Sequence, residues 1–368
     1  MSSPDITQVE VDTVTAVLRT SYLSIGPCTD EFERRVADYV GVRHAVAVSS
    51  GTAGLHLAVI AAGVTDGDEV ITTPFSFVAS ANVILYERAR PVFVDIDPGA
   101  LNIDPNRIEA AITPRTKAIL PVHAFGQPAD MDPILDIARR YNLTVIEDAC
   151  EAIGAVYKGR RVGALGHAGV FAFYPNKQMT TGEGGVIVTD DDEWNRLFRS
   201  LRNQGRDVFD AWLNHSRLGY NYRLDEMSAA LGVAQMSRIE ELLVKRERVA
   251  GWYADRLREI EGVSPPFVAP TTTHTSWFVY VVRFAPDIDR DLIIARLDER
   301  GIPSRPYFSP IHLQPFYRQR FGYQPGDFPI TERVAASTLA LPFFGNMTEE
   351  QVDCVCGTLR AVIAQVHR

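Results

Sequence analysis

Seven short β-branched or apolar runs recur through the first half of the chain, at residues 45–48, 69–73, 91–94, 117–121, 143–146, 170–173 and 186–189. Their number and spacing predict one large sheet. Most of the gaps are long enough for a crossover helix, and within residues 132–141 Ile134, Leu135, Ile137 and Ala138 fall on one helical face. Parallel neighbours need such crossovers, so the sheet is expected to be mainly parallel. The last two runs are close enough to pair antiparallel. From Leu224 the period changes, and Met227, Ala230, Leu231, Ala234, Ile239, Leu242 and Leu243 form an apolar stripe at helical spacing. That stripe predicts a long helical exit from the sheet. Beyond Gly262 come a Pro-rich stretch, an aromatic strand at 277–284, a helix at 289–301 and a terminal helix at 348–366 capped by Thr348. The pattern is that of an α/β protein with a large domain over residues 1–244 and a small α+β domain over residues 245–368.

Composition narrows the class without changing this outline. The chain has 368 residues, 46% hydrophobic and 23% charged, which excludes a disordered, collagenous or disulfide-stapled protein. Its net charge of -9 argues against a nucleic-acid or anionic-membrane surface and leaves small molecules or proteins as partners. Four cysteines, Cys28, Cys150, Cys354 and Cys356, form no C-x-x-C pair and so neither a disulfide framework nor a zinc site. With no basic leader and no apolar run long enough to span a bilayer, a cytoplasmic protein is expected.

In a mainly parallel sheet, ligands sit beyond the carboxyl ends of the strands, so the loops after each run deserve inspection. The first is Ser49-Ser50-Gly51-Thr52-Ala53-Gly54, small residues that open an apolar helix. A helix N-terminus there suits a phosphate, although the same residues also read as a plain turn and cap. The second, Glu147-Asp148-Ala149-Cys150-Glu151, carries Asp148, either a partner for a protonated ring nitrogen or a helix cap. The third runs from Phe173 to Gly185 and holds Lys177 between an apolar strand and a Gly-rich turn with no acid beside it in sequence. Such an amine can be desolvated into a Schiff-base former, or it can be a surface lysine. Taken jointly, an anion cup, a carboxylate and a lysine match the phosphate, ring nitrogen and aldehyde of pyridoxal 5'-phosphate (PLP).

At this point the residues resemble the DegT/DnrJ/EryC1/StrS aminotransferases. The likeness runs from Tyr22-Leu23-Ser24-Ile25-Gly26-Pro27 through Thr73-Pro74-Phe75-Ser76-Phe77, Pro121-Val122-His123-Ala124-Phe125-Gly126 and Gly219-Tyr220-Asn221-Tyr222-Arg223. It ends at Pro310-Ile311-His312-Leu313-Gln314-Pro315 and Leu341-Pro342. The resemblance implies a fold-type I PLP-dependent transferase, a homodimer with shared active sites, L-glutamate as amino donor and a nucleotide-linked keto-deoxyhexose as acceptor. Perosamine-synthase-like features around Lys177 tilt the expectation toward amination at C4. A cyclitol or aminobenzoate-type acceptor is the alternative within the family, and a non-catalytic regulatory protein the alternative outside its chemistry.

Carried over by position, Lys177 and Asp148 are the implied catalytic residues. Ser50, Gly51, Thr52 and Ala53 would cup the phosphate, Phe77 would stack on the ring, and Glu151 would lie near the phenolic oxygen. Asn221 and Arg223 would reach the neighbouring subunit's site, Arg223 also touching substrate, and His312 falls at a substrate-side position. No metal is implied. One departure stands out: where the family commonly has Ser five residues before the lysine, this chain has Ala172, and Ser50 or backbone amides are expected to compensate. His123 is open between a site role and a structural hydrogen bond. His44, His56, His167 and His367 are expected at the surface or in packing, and Cys354 and Cys356 in packing on the last helix.

Overall fold

The computed structural model describes residues 1–207 and 214–366. Two helices, α1 (Gln8–Leu18) and α2 (Pro27–Val40), precede the sheet. Pro27 supplies a preset φ at the start of α2, and Gly41, left-handed at φ 84, ends it. The first five runs become β1 (His44–Val48), β2 (Glu69–Thr72), β3 (Arg90–Phe93), β4 (Thr116–Ile119) and β5 (Thr144–Asp148), with α3 (Gly51–Ala61), α4 (Ala79–Tyr86) and α5 (Met131–Tyr141) among them. A small hairpin, β6 (Val156–Tyr157) and β7 (Arg160–Arg161), comes before β8 (Ala168–Ala172) and β9 (Gly185–Thr189). The sheet order is β1-β9-β8-β5-β4-β2-β3, with β9 alone running against the other six strands.

Alternation along the strands separates two cores: Ala45 and Ala47 face a layer with Phe32 and Val36 of α2, whereas Val46 and Val48 face Leu55 and Leu57 of α3. Both faces of the sheet are therefore covered, as a largely parallel sheet requires. The fifth strand runs two residues further than its apolar run. Asp148 still bonds Pro121 and His123 through its backbone, so it ends the strand rather than opening a loop.

Past α6 (Asp192–Arg202), the expected single helical exit is two helices, α7 (Glu226–Met236) and α8 (Ile239–Leu257). The break falls at Arg238, whose φ of -120 is not helical and whose guanidinium pairs with Asp5, Glu10 and Glu241. An apolar stripe alone does not register such a kink. Helix α8 contributes Ile239, Leu242 and Leu243 to the sheet core and Val249, Ala250, Tyr253 and Leu257 to a second core. The 244/245 boundary expected from sequence thus falls inside one continuous helix.

The second core is built on β10 (Val263–Ser264), β12 (Tyr280–Phe284) and β13 (Thr338–Leu341), with α9 (Arg290–Asp298) and α12 (Glu349–Val366) packed against them. Strand β11 (Thr272–His274), unsignalled in the Pro-rich stretch, pairs with β6 instead. Helices α10 (Pro315–Phe321) and α11 (Pro329–Ser337) return toward the sheet, and Asp95 after β3 caps the amino end of α11 through the Ile330 and Thr331 amides. Cys356 is buried in this core, but Cys354 is exposed, correcting its expected packing role. Among the described residues, no helix is long and apolar enough to cross a membrane.

Candidate active site

The carboxyl ends of β1, β5 and β8 open on one side of the sheet, and the three loops singled out from sequence meet there. They line a cleft of about 430 Å³ that contains Ser50, Gly51, Thr52, Phe77, Asp148, Glu151 and Lys177.

The amino end of α3 forms one wall. Ser50 caps the helix, its hydroxyl accepting the Ala53 amide at 3.1 Å. Ala53 is thereby committed to the cap and stands behind the lining, while Gly51 and Thr52 face the cleft. A Cβ on Gly51 would stand 2.6 Å from that of Ala172 and 2.8 Å from Cys150 Sγ. A Cβ on Gly185 would stand 2.7 Å from the Ser50 carbonyl and the Gly51 nitrogen. Bare backbone at both positions brings the helix end close to β8 and β9, the close approach an anion cradle needs. Ser50 is only partly free to replace the hydroxyl absent at Ala172, because one of its lone pairs is used by the cap and its proton remains to donate.

Asp148 is buried at the end of β5. Its Oδ2 accepts from Ser80 Oγ at 2.6 Å and its Oδ1 from the Cys150 amide at 3.2 Å, so a fixed carboxylate faces the cleft from below. Phe77, one turn before Ser80, is 64% exposed, a large aromatic face left open over the same space.

Lys177 Nζ reaches to 3.5 Å from Glu151 Oε1 and lies 3.9 Å from the centroid of the Phe278 ring. No acid adjoins this lysine along the sequence, and folding brings Glu151 to it from another loop. Glu151 is fixed on its other oxygen by the Phe125 amide at 3.0 Å. Burial pushes the Glu151 carboxyl above its usual range, opposed by the ammonium of Lys177. Burial likewise raises the Cys150 thiol, with Asp148 adding to the effect, so this cysteine stays a neutral filler. Tyr307, also on the wall, is raised by burial and by the charge of Glu151.

Residues 4–360 match the model of the DegT/DnrJ/EryC1/StrS aminotransferase family. The chain belongs to that family. GDP-perosamine synthase of Caulobacter vibrioides is 44% identical over 367 residues, covering 99% of this chain and 98% of that protein. The crystal structure of DesV from S. venezuelae superposes with a TM-score of 0.91 at 35% identity, over 98% of this chain and 94% of the other. Spr1654 of Streptococcus pneumoniae, solved in a PLP form, gives 0.93 at 28% identity over 99% and 98%. The protein is a PLP-dependent aminotransferase of fold-type I. Its cleft fits the cofactor: a helix end with bare backbone for a phosphate, a buried carboxylate, an open aromatic face and one amine share it.

Not every expected site residue joins them. Asn221 is exposed and Arg223 donates to Asn203 Oδ1 at 3.0 Å, both outside this chain's own cleft. His312 is buried against Phe328, with Nε2 on Glu332 at 3.0 Å, and burial lowers its pKa. It does not line the cleft, because the 310–315 turn points its ring into the aromatic packing around α11.

The ambivalent His123 has a structural place: Nδ1 accepts the Ala129 amide and Nε2 bonds Glu147, whose carboxylate also gathers the Gly163, Leu165 and Gly166 amides. His44 pairs with Asp192, His56 with Glu87 and Tyr222, and His167 accepts the Val145 amide. His367 lies outside the described residues. Sequence reasoning missed Ser80, Phe278 and Tyr307, which carry no motif of their own and enter the site only through folding.

Proposed function

We propose that this aminotransferase moves the amino group of L-glutamate to a nucleotide-linked keto-deoxyhexose, at C4 of the sugar. The observation that carries the substrate reading is the shape of the site. The cleft shares Ser76, Phe77 and Phe308 with a second cavity of about 830 Å³, which also has Tyr86, Phe316 and Arg320 on its walls. That adjoining space suits a substrate far longer than an amino acid, with aromatic surface for a base and a guanidinium for phosphate. The likeness to GDP-perosamine synthase supports the sugar and the C4 position.

In this reading Asp148 would bond the cofactor's ring nitrogen, with Ser80 holding that carboxylate in place. Gly51, Thr52 and Ser50 would receive the phosphate, with Ala53 holding their helix turn, and Phe77 would cover the ring. The bound cofactor supplies a carbonyl for covalent attachment and a ring that takes up electron density from the substrate. Lys177 would be the point of attachment, and its Nζ would take the proton from the substrate carbon. Glu151, 3.5 Å away, keeps that amine oriented. The amino group of glutamate would replace the ketone oxygen of the sugar and glutamate would leave as 2-oxoglutarate, with Lys177 returning a proton to the sugar carbon.

The reading includes a C2 homodimer in which Asn221 and Arg223 serve the neighbouring subunit's cleft. Their position outside their own cleft supports it, as do Tyr22, Leu23, Ile25 and Leu218, large apolar side chains left exposed. Four free cysteines are consistent with a cytoplasmic setting. A test of the substrate is mass spectrometry of products after incubation with glutamate and a panel of nucleotide-linked 3-keto and 4-keto deoxyhexoses. Amination of the 4-keto sugars is expected. Turnover only of a cyclitol or an aromatic acceptor would overturn the proposal.

A further inference from the structure

Arg246, on α8, is buried, no carboxylate among the described residues pairs with it, and burial lowers its pKa to about 10. Its guanidinium instead donates to three backbone carbonyls. One nitrogen bonds the carbonyl of Lys177 at 2.6 Å, and another bonds those of Trp277 at 3.1 Å and Phe278 at 3.2 Å. The two chain segments so joined carry the amine of Lys177 and the Phe278 ring, which meet at 3.9 Å. A buried guanidinium without a counter-charge is a poor stabiliser compared with a well-packed apolar residue of similar volume. Folding alone therefore gives weak reason for this choice.

The geometry points to Arg246 as a positioning residue that sets the reach of the Lys177 amine by clamping the backbone of Lys177 to the segment bearing Phe278. It is not itself part of the cleft lining and acts on Lys177 and Phe278 only through their backbone carbonyls, from the stretch of α8 between the two cores. This inference rests on Lys177 being the attachment lysine. Arginine suits the task because its planar fork engages several acceptors in one geometry, which a single ammonium cannot do. Released from the clamp, the amine keeps its chemistry and loses its placement, and misplacement of about 1 Å can cost about 10²-fold in rate.

The test compares wild type with Arg246→Met and Arg246→Lys. In the apoprotein, reductive methylation of Lys177 Nζ is followed by peptide mass spectrometry. In the cofactor-loaded protein, the pH midpoint of the cofactor's visible absorbance is measured together with kcat and KM. Arg246→Met is expected to raise methylation severalfold, shift the midpoint and lower kcat by about 10²-fold with little change in KM. Arg246→Lys, which also serves if the methionine variant does not fold, should lie between. Unchanged labelling, midpoint and kcat in either folded variant would overturn the clamp. Borohydride trapping of the cofactor on a lysine other than Lys177 in wild type would instead sink the assignment of Lys177, so the two failures are separable.

Discussion

Lys177 Nζ lies 3.5 Å from Glu151 Oε1, although the two residues belong to different loops at the ends of different strands. The amine proposed to take and return a proton thus faces a carboxylate which burial holds above its usual pKa and which the Phe125 amide fixes in place. The pairing gives the lysine an orientation that no neighbouring residue in sequence provides.

Lys177→Ala should abolish turnover, with a loss of at least about 10³-fold, the scale of removing a covalent and proton-transfer group. The fold should survive, because the side chain lines a cleft rather than filling a core. Circular dichroism should match wild type while the cofactor's visible band changes; an unchanged band and rate would refute the role of the lysine.

Asp148→Asn keeps the size of the side chain and removes the charge that favours a protonated ring nitrogen. The half-reaction with glutamate should slow by about 10²-fold or more, with a much smaller effect on substrate binding. Ser80→Ala, which deletes the 2.6 Å bond to the same carboxylate, should weaken cofactor affinity by about tenfold, on the scale of one hydrogen bond to a charged group. Stopped-flow absorbance and cofactor titration measure the two effects. A wild-type half-reaction rate in the asparagine variant would remove Asp148 from its role.

Glu151→Gln separates activity from stability. Folding raises this carboxyl's pKa, so ionising it destabilises the folded state progressively as pH climbs from the unfolded value through the folded one, and the penalty is complete above the latter. The glutamine variant escapes that penalty. At neutral pH it should melt at the same temperature as wild type or higher, yet turn over more slowly, and the difference in melting temperature should vanish in acid. A variant markedly less stable at neutral pH and equally active would contradict this account.

Gly185→Ala forces a Cβ to within 2.7 Å of the Ser50 carbonyl and the Gly51 nitrogen, both backbone atoms that cannot swing aside. The amino end of α3 must shift. A stability loss of about 1–3 kcal/mol is expected, as for overpacking elsewhere, with a larger proportional loss of cofactor affinity. Denaturant melts and cofactor titration would report the two, and wild-type affinity would show that the helix end is not the phosphate site.

Mixing inactive Lys177→Ala chains with inactive Arg223→Ala chains should restore some activity if sites are shared. One of the two sites in the mixed dimer then holds both intact residues. Recovery should not exceed the fraction of mixed dimers. An active monomer in sedimentation, or no recovery despite proven subunit exchange, would refute the shared site.

Much of this protein is written locally. Short β-branched and apolar runs with helical segments between them already specify a mainly parallel sheet, since strands covered on both faces read as continuous apolar runs and parallel neighbours need crossovers. The small residues of the Ser50 loop, the strand-end Asp148 and the Lys177 loop could likewise be read from sequence, because the rule that ligands gather at strand carboxyl ends converts order along the chain into a place in space. What the tertiary structure alone decided is everything that depends on distance between remote segments. It brought Glu151 to Lys177 and Ser80 to Asp148, turned His312 into aromatic packing, and made His123 a partner of Glu147 rather than of the cleft. It also broke the apolar stripe at Arg238, where carboxylates from the first ten residues of the chain meet the guanidinium. Hydrophobic period is a property of each segment, whereas hydrogen bonds and charge pairs between segments exist only once packing has fixed their partners, and it is those bonds that orient the chemistry of the site.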